Sequence, residues 1–311
     1  MIARRALCAA AVGTLAGGCA LMAPPQTAAL RAARDAKQAA PVELTAVPFF
    51  PQTVNHCGPA ALATVLGHLG IGVSPEVLAD GVFLPAREGS LQTEMLAGAR
   101  RHGALAVRLP GRIDALMTEV SAGRPVVVLQ NLGLAIYPRW HYAVLIGHDL
   151  SADRLILRSG IERRHLVGFT PFEHTWARGG HWAFAVVRPG ELPATASEEA
   201  AVQAALGFER VAPARDALRA WERLLAQWPA SLVAAVGVGN TRHAAGDLPG
   251  AAAAFEAAAR RHRDAAAWIN LGEVALQLGQ RERAAAAARE ALAIGGPFAD
   301  KAQALAQRAV R

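Results

Sequence analysis

Apolar and polar positions along the chain fall into three regimes. Apolar residues first recur at helical spacing in four stretches, 58–69, 74–80, 90–102 and 111–122, with Ser74 and Ser90 placed as N-caps. From residue 125 onward the pattern turns strand-like, in runs at 125–132, 141–149, 154–160, 163–169 and 181–189, with Gly and Asp at the turns. Helices followed by an antiparallel sheet predict a compact α+β domain over residues 44–189. Residues 190–212 shift to Pro, Thr, Ser, Glu and Ala and read as a linker or short helix; residues 213–311 are Ala-rich and helical.

That last stretch repeats itself. Gly239, Gly246, Ala251 and Ala258 recur as Gly272, Gly279, Ala284 and Ala291, each pair 33 residues apart. Small residues at a fixed period near 34 predict tetratricopeptide repeats, because Gly and Ala let the two helices of each unit approach closely. Phe255 fills the large position of one unit; Ala288 stands there in the next, where Trp268 takes an earlier large position. Ala217, Trp221 and Pro229 match the second half of a preceding unit, giving about two and a half repeats and a closing helix from Pro297. Such repeats present a concave face to a peptide or protein partner.

Composition narrows the function classes. The chain has 311 residues, 53% apolar and 18% charged, which supplies a large core and argues against wholesale disorder. Its net charge of +7 is concentrated in the first forty residues, and elsewhere Arg is interspersed with acids. No folded part carries the basic face that a nucleic acid requires, so no nucleic-acid partner is expected.

The N-terminus reads as an address. Arg4 and Arg5 precede the apolar run Ala6 to Leu15, which is too short to span a bilayer and reads as a signal peptide. It ends in Leu15-Ala16-Gly17-Gly18-Cys19, which resembles a bacterial lipobox whose Cys becomes the acylated first residue. Residues 1–19 are thus expected to be signal and lipobox, with Cys19 as lipid anchor, and residues 20–43 a tether of low structural content. By resemblance to bacterial sorting rules, Ala20 favours the outer membrane, with the chain facing the periplasm.

Of three cysteines, Cys8 would leave with the signal and Cys19 would be acylated, so Cys57 is the one remaining thiol. An unpaired thiol in an oxidising compartment is the natural place to look for chemistry. The segment from Val47 to Val54 is punctuated by Pro, and Cys57-Gly58-Pro59-Ala60 opens a helical pattern. Pro59 fits a first turn, so Cys57 lies at a helix N-terminus, where free N–H groups and the helix dipole favour a thiolate. Gln52, on the incoming loop, can donate its amide to a developing oxyanion.

Gln52-x4-Cys57-Gly58-Pro59-Ala60 before a helix, and His141-Tyr142-Ala143-Val144-Leu145-Ile146-Gly147-His148-Asp149 after it, resemble the C39-like, papain-fold cysteine peptidases. The resemblance covers residues 44–189, and the chain as a whole is similar to lipoproteins that join such a domain to tetratricopeptide repeats. It implies an α+β papain-like peptidase domain followed by an all-α repeat domain, with Cys57 as nucleophile, His141 as base and Gln52 as oxyanion donor. The substrate would be a peptide or protein. Asp149 is too far along the strand to orient His141. The resemblance places an Asp opposite His141, whereas this chain reads Leu157-Arg158-Ser159-Gly160. That leaves Ser159, Glu162, a backbone group or no third member, or a domain that binds without cutting.

His181 also opens an apolar strand, but no later strand follows to orient it. His148 lies an odd number of residues from His141, so on a regular strand the two cannot share a metal. No HExxH and no Cys-rich spacing occurs, and neither metal nor cofactor is expected. The rival readings are a non-catalytic peptide-binding module on the same fold and a scaffold lipoprotein in which the repeats act.

Overall fold

The structure is a computed structural model that describes residues 23–33, 40–52 and 56–310. The signal peptide and Cys19 lie outside the described residues. The chain enters through helix α1 (Pro25–Ala32) and strand β1 (Val42–Glu43), then runs through helices α2 (Cys57–His68), α3 (Pro75–Val82) and α4 (Gln92–Arg101). Strand β2 (Leu105–Arg108), helix α5 (Ile113–Ser121), and strands β3 (Val126–Asn131), β4 (Trp140–Asp149), β5 (Arg154–Ser159) and β6 (Glu162–Gly168) follow. Helix α6 (Phe169–Arg178) and strand β7 (Ala183–Val187) complete the domain.

The strands form one antiparallel sheet in the order β2-β7-β3-β4-β5-β6, with β1 paired to the far half of β4. Alternate residues of the central strands feed two cores. Val127, Leu129, Tyr142, Val144 and Phe184 pack with Leu62, Val65 and Leu66 of α2. Val126, Val128, Ala143 and Leu145 pack with Leu116 and Val120 of α5 and Phe172 and Trp176 of α6. With both faces covered, β3 is buried along its whole length, which is why its sequence is an unbroken apolar run before Gln130. Each fully buried Val, Leu or Phe contributes roughly 1.5–3 kcal/mol relative to exposure, so this two-sided core fixes the strand register.

Three expectations need correction. Ser74 caps α3 as expected, accepting from the Val77 N–H, but α4 is capped at Leu91 and not Ser90. Strand β2 and helix α6 had no assignment, since four residues are too few to show a period and α6 is hidden between two apolar strands. The tether contains a docked helix: Glu173 accepts from the N–H of Gln26 and of Thr27 and from the Thr27 hydroxyl, at 3.0, 2.6 and 2.6 Å, and so fixes the start of α1 on α6. The short helix allowed for in residues 190–212 is α7 (Glu198–Glu209), whose Phe208 and Ala204 are buried against Leu105, Val107 and Val187.

The remaining helices are α8 (Ala214–Gln227), α9 (Leu232–Ala244), α10 (Leu248–His262), α11 (Ala265–Gln277), α12 (Arg281–Ile294) and α13 (Ala299–Val310). Because α7 supplies the first helix of the upstream unit, the repeat region has a complete pair there and not half of one. The recurring glycines have a steric reason. A Cβ on Gly239 would lie 2.4 Å from the Phe255 ring and one on Gly272 2.3 Å from Leu305, while Gly246 and Gly279 turn the chain at φ +80° and +72°.

Candidate active site

Helix α2 begins at Cys57, with His56 as its N-cap and Pro59 in the first turn, where the missing N–H costs nothing. The first turn approaches the chain so closely that a Cβ on Gly58 would sit 2.3 Å from Ser90 Oγ. Cys57 is half-buried. Backbone N–H groups of Tyr142, Gly58 and Cys57 itself all act on its sulfur to favour the thiolate. Burial outweighs them and pushes the thiol above its ordinary value. The expected depressed thiol is therefore not what the site presents: at neutral pH the sulfur is protonated.

Tyr142 is the residue after His141, so the sulfur lies against the peptide that carries the imidazole. Cys57 and His141 share no hydrogen bond of their own among the described residues. His141 opens β4 opposite Gln130, and its Nε2 lies 2.9 Å from Ser159 Oγ at the end of β5. Burial, with a smaller contribution from the nearby His165, lowers the His141 pKa to about 4, and no carboxylate among the described residues pairs with it to favour the cation. At neutral pH the imidazole is therefore neutral and the thiol protonated.

Gln52 reaches the backbone of the same residue, Tyr142. Its backbone N–H donates to the Gly160 carbonyl at 3.2 Å, docking the incoming loop on the β5–β6 turn, and its Nε2 donates to the Tyr142 carbonyl at 3.4 Å. Cys57 and Gln52 thus both meet the backbone of Tyr142, the residue after His141, and His141 pairs with Ser159. Tyr142 in turn donates its hydroxyl to the Ser90 carbonyl at 3.2 Å, and burial raises its own pKa. Its backbone role was missed by sequence reasoning. The only signal was its place beside His141.

The other candidates lie elsewhere. Glu162 Oε2 pairs with His165 Nδ1 at 3.1 Å, and Asp149 accepts from Ser151 and Ala152 in the β4–β5 turn. A bulge between Leu145 and Gly147 shifts the register of β4, and His148 lies 2.9 Å from Ser121 Oγ of α5. His181, at φ +50°, rests edge-on against Trp176 in the turn before β7.

Residues 44–181, just under half of the chain, match the profile of the Peptidase_C39 like family. No curated protein matches. Among solved structures, a protein of Bacillus anthracis described as a C39-like peptidase is 23% identical, over 48% of this chain and 98% of its own, with a TM-score of 0.41. The peptidase domain of Streptococcus ComA, a bifunctional ABC transporter of a quorum-sensing pathway, is 20% identical over 46% and 98%, with a TM-score of 0.39. YrrB, a tetratricopeptide protein with an unusual peptide-binding site, is 19% identical over 37% and 59%, with a TM-score of 0.33. The matched segment carries Gln52, Cys57, His141 and Ser159, and over it this chain is similar to the Peptidase_C39 like family.

Proposed function

We propose that the protein is a lipid-anchored cysteine peptidase of the bacterial cell envelope that hydrolyses peptide bonds through Cys57 and His141, with the helical repeats recruiting a substrate or partner. The observation that carries this reading is the pairing of His141 Nε2 with Ser159 Oγ at 2.9 Å, one residue from the N–H that meets the Cys57 sulfur. By the resemblance, Ser159 stands near the place where such peptidases carry an acid, and its hydroxyl is the group that would orient His141.

The resting pair is neutral, so the reaction begins with proton transfer. His141 donates Nε2–H to Ser159, which leaves the Nδ1 lone pair as base. As Cys57 Sγ bonds to the substrate carbonyl carbon, the thiol proton passes to His141 and the carbonyl electron pair moves onto oxygen. The oxyanion takes hydrogen bonds from the Cys57 N–H and from Gln52 Nε2, which leaves the Tyr142 carbonyl to do so. The C–N bond then breaks, the imidazolium returns the proton to the amine, and water, deprotonated by the same imidazole, hydrolyses the thioester.

Cys19 is the proposed point of lipid attachment, with Ala20 directing the chain to the periplasmic face of the outer membrane. The repeat partner would lie in the groove between α8, α9 and α10, lined by Leu225, Val238, Ala254 and Ala257 and edged by Arg242 and Arg261.

The test is labelling by a peptide carrying an electrophilic warhead. Cys57→Ala abolishes labelling, His141→Ala slows it by about 10²–10⁴, and Gln52→Ala by about 10²–10³. Equal labelling of wild type and His141→Ala overturns the assignment of the base.

A further inference from the structure

One end of the sheet gathers features that the reaction does not use. The end of β3, the start of β4, the β5–β6 turn, the start of β7 and the end of β2 all lie there, as the antiparallel registers require. The β3–β4 connection at this end reads Leu132-Gly-Leu-Ala-Ile-Tyr-Pro-Arg-Trp140 and turns its apolar side chains outward. Ile136 is 90% exposed, Tyr137 77% and Leu134 68%, and Ile161 on the neighbouring turn is 81% exposed. Single exposed apolar residues are ordinary, but a contiguous cluster is not.

The loop is built to hold this shape. Buried Asn131 accepts from the N–H of Gly133 and of Arg139 at 2.9 and 2.8 Å and donates to the Leu134 carbonyl at 3.3 Å. Leu132 donates to the Arg139 carbonyl at 2.9 Å, closing the base of the loop. A Cβ on Gly133 would meet the Tyr137 carbonyl oxygen at 2.4 Å, so only glycine allows the tip. A braced, convex tip is the wrong shape to enclose a peptide side chain and the right one to enter a softer medium.

Two further observations choose that medium. Arg139, Arg163 and Arg178 border the tip, are exposed and form no ion pair among the described residues, which suits anionic headgroups. Tyr137 and Trp140 are the residue types that settle at a membrane–water interface. The chain also enters the fold at this same end. Gln26 of α1 bonds the Gly111 carbonyl and the Ile113 N–H, just past β2, whereas Arg31 at the other end of α1 pairs with Asp153 in the opposite turn. From Cys19 to Pro24 the chain can span at most about 17 Å.

We infer that this end of the sheet docks on an anionic bilayer, with Leu134, Ile136, Tyr137 and Ile161 entering its interfacial zone and the arginines meeting phosphate. The inference rests on the reading of Cys19 as the lipid anchor, which delivers this face and no other to the surface. Docking places the mouth of the site beside the membrane, so the substrate would be a peptide segment emerging from or lying on the bilayer.

The test uses the mature lipidated chain in vesicles of phosphatidylethanolamine and phosphatidylglycerol. A polarity-sensitive dye is attached at Ile136→Cys or, as a control on α9, at Val233→Cys, each in a Cys57→Ala background. The expected result is a blue-shifted emission at position 136, quenched by spin-labelled lipid and lost on adding Leu134→Asp and Tyr137→Asp, with position 233 remaining aqueous. Equal exposure of both positions on vesicle-bound protein overturns the inference, as does a shift at position 136 that requires added apolar peptide. The mass of the N-terminal peptide reports the anchor separately. An unacylated Cys19 removes the anchor reading, and the tip is then scored by the same dye on unlipidated chain at high vesicle concentration, where no shift overturns it.

Discussion

Ser159 offers the sharpest test of the site, because the identity of one side chain sets the charge state of another. His141 titrates at about 4 since burial disfavours its cation and Ser159 presents a neutral hydroxyl. Ser159→Asp replaces that hydroxyl with a carboxylate in nearly the same place. Opposite unit charges ~4 Å apart at an effective dielectric of ~20 attract by ~4 kcal/mol, or ~3 pH units. Partial exposure of position 159 reduces this, so the imidazole should return to roughly 6 to 7, its ordinary range. The assay is the pH dependence of acylation by the peptide probe, read beside NMR titration of the ring. In wild type the acidic limb falls at about 4, where the base becomes protonated. In Ser159→Asp it moves up by roughly 2 units or more. Ser159→Ala leaves the limb low and slows acylation about five- to tenfold, the loss of one neutral hydrogen bond. An acidic limb that stays at about 4 in Ser159→Asp would refute the claim that Ser159 is the partner of the imidazole.

Four other outcomes follow from the same structure. Because the His141 pKa is lowered in the folded chain, the unfolded chain takes up a proton first as pH falls; stability is flat above about 6.5 and declines toward pH 4 by up to ~3 kcal/mol. Urea unfolding across that range checks this, and His141→Gln should flatten the slope. Cys57 alkylation by iodoacetamide should be slower at neutral pH than that of free cysteine and keep rising above the ordinary thiol range; a plateau near pH 6 would contradict the neutral pair. Gly239→Ala should destabilise the repeats by ~1–3 kcal/mol through overlap with Phe255, read as a lowered Tm, and leave Cys57 labelling unchanged. Glu173→Ala should release α1, so that amide exchange rises over residues 25–32 while the sheet stays protected.

How much of this was legible depended on the range of the interaction. The start of α2 at Cys57 could be read from Pro59 and the Ala-rich run, since helix starts are set by neighbouring residues. The repeats could be read because a steric need recurring every 33 residues leaves a recurring glycine. Ser159 could only be narrowed to a few positions. Its place relative to His141 depends on a bulge in β4 between Leu145 and Gly147, and an extra residue in a strand leaves no mark on an apolar run. Helix α1 was hidden for a different reason. A helix of only eight residues is too short to hold by itself, and what fixes it is Glu173, almost 150 residues away.

The electrostatics of the site follow from this same distance between local and tertiary causes. A helix N-terminus on its own predicts an ionised sulfur, and the N–H groups that would stabilise it are indeed aimed at Cys57. Yet a thiolate–imidazolium pair needs both ions to be tolerated, and the sheet side supplies only a hydroxyl and a second histidine to an imidazole held out of water. With nothing to stabilise the cation, the helix alone cannot separate the charges. The resting pair is therefore neutral, and in the proposed reaction the proton moves only as the sulfur bonds to a carbonyl carbon. The neutral pair also keeps the thiol out of the form on which oxidation and alkylation act.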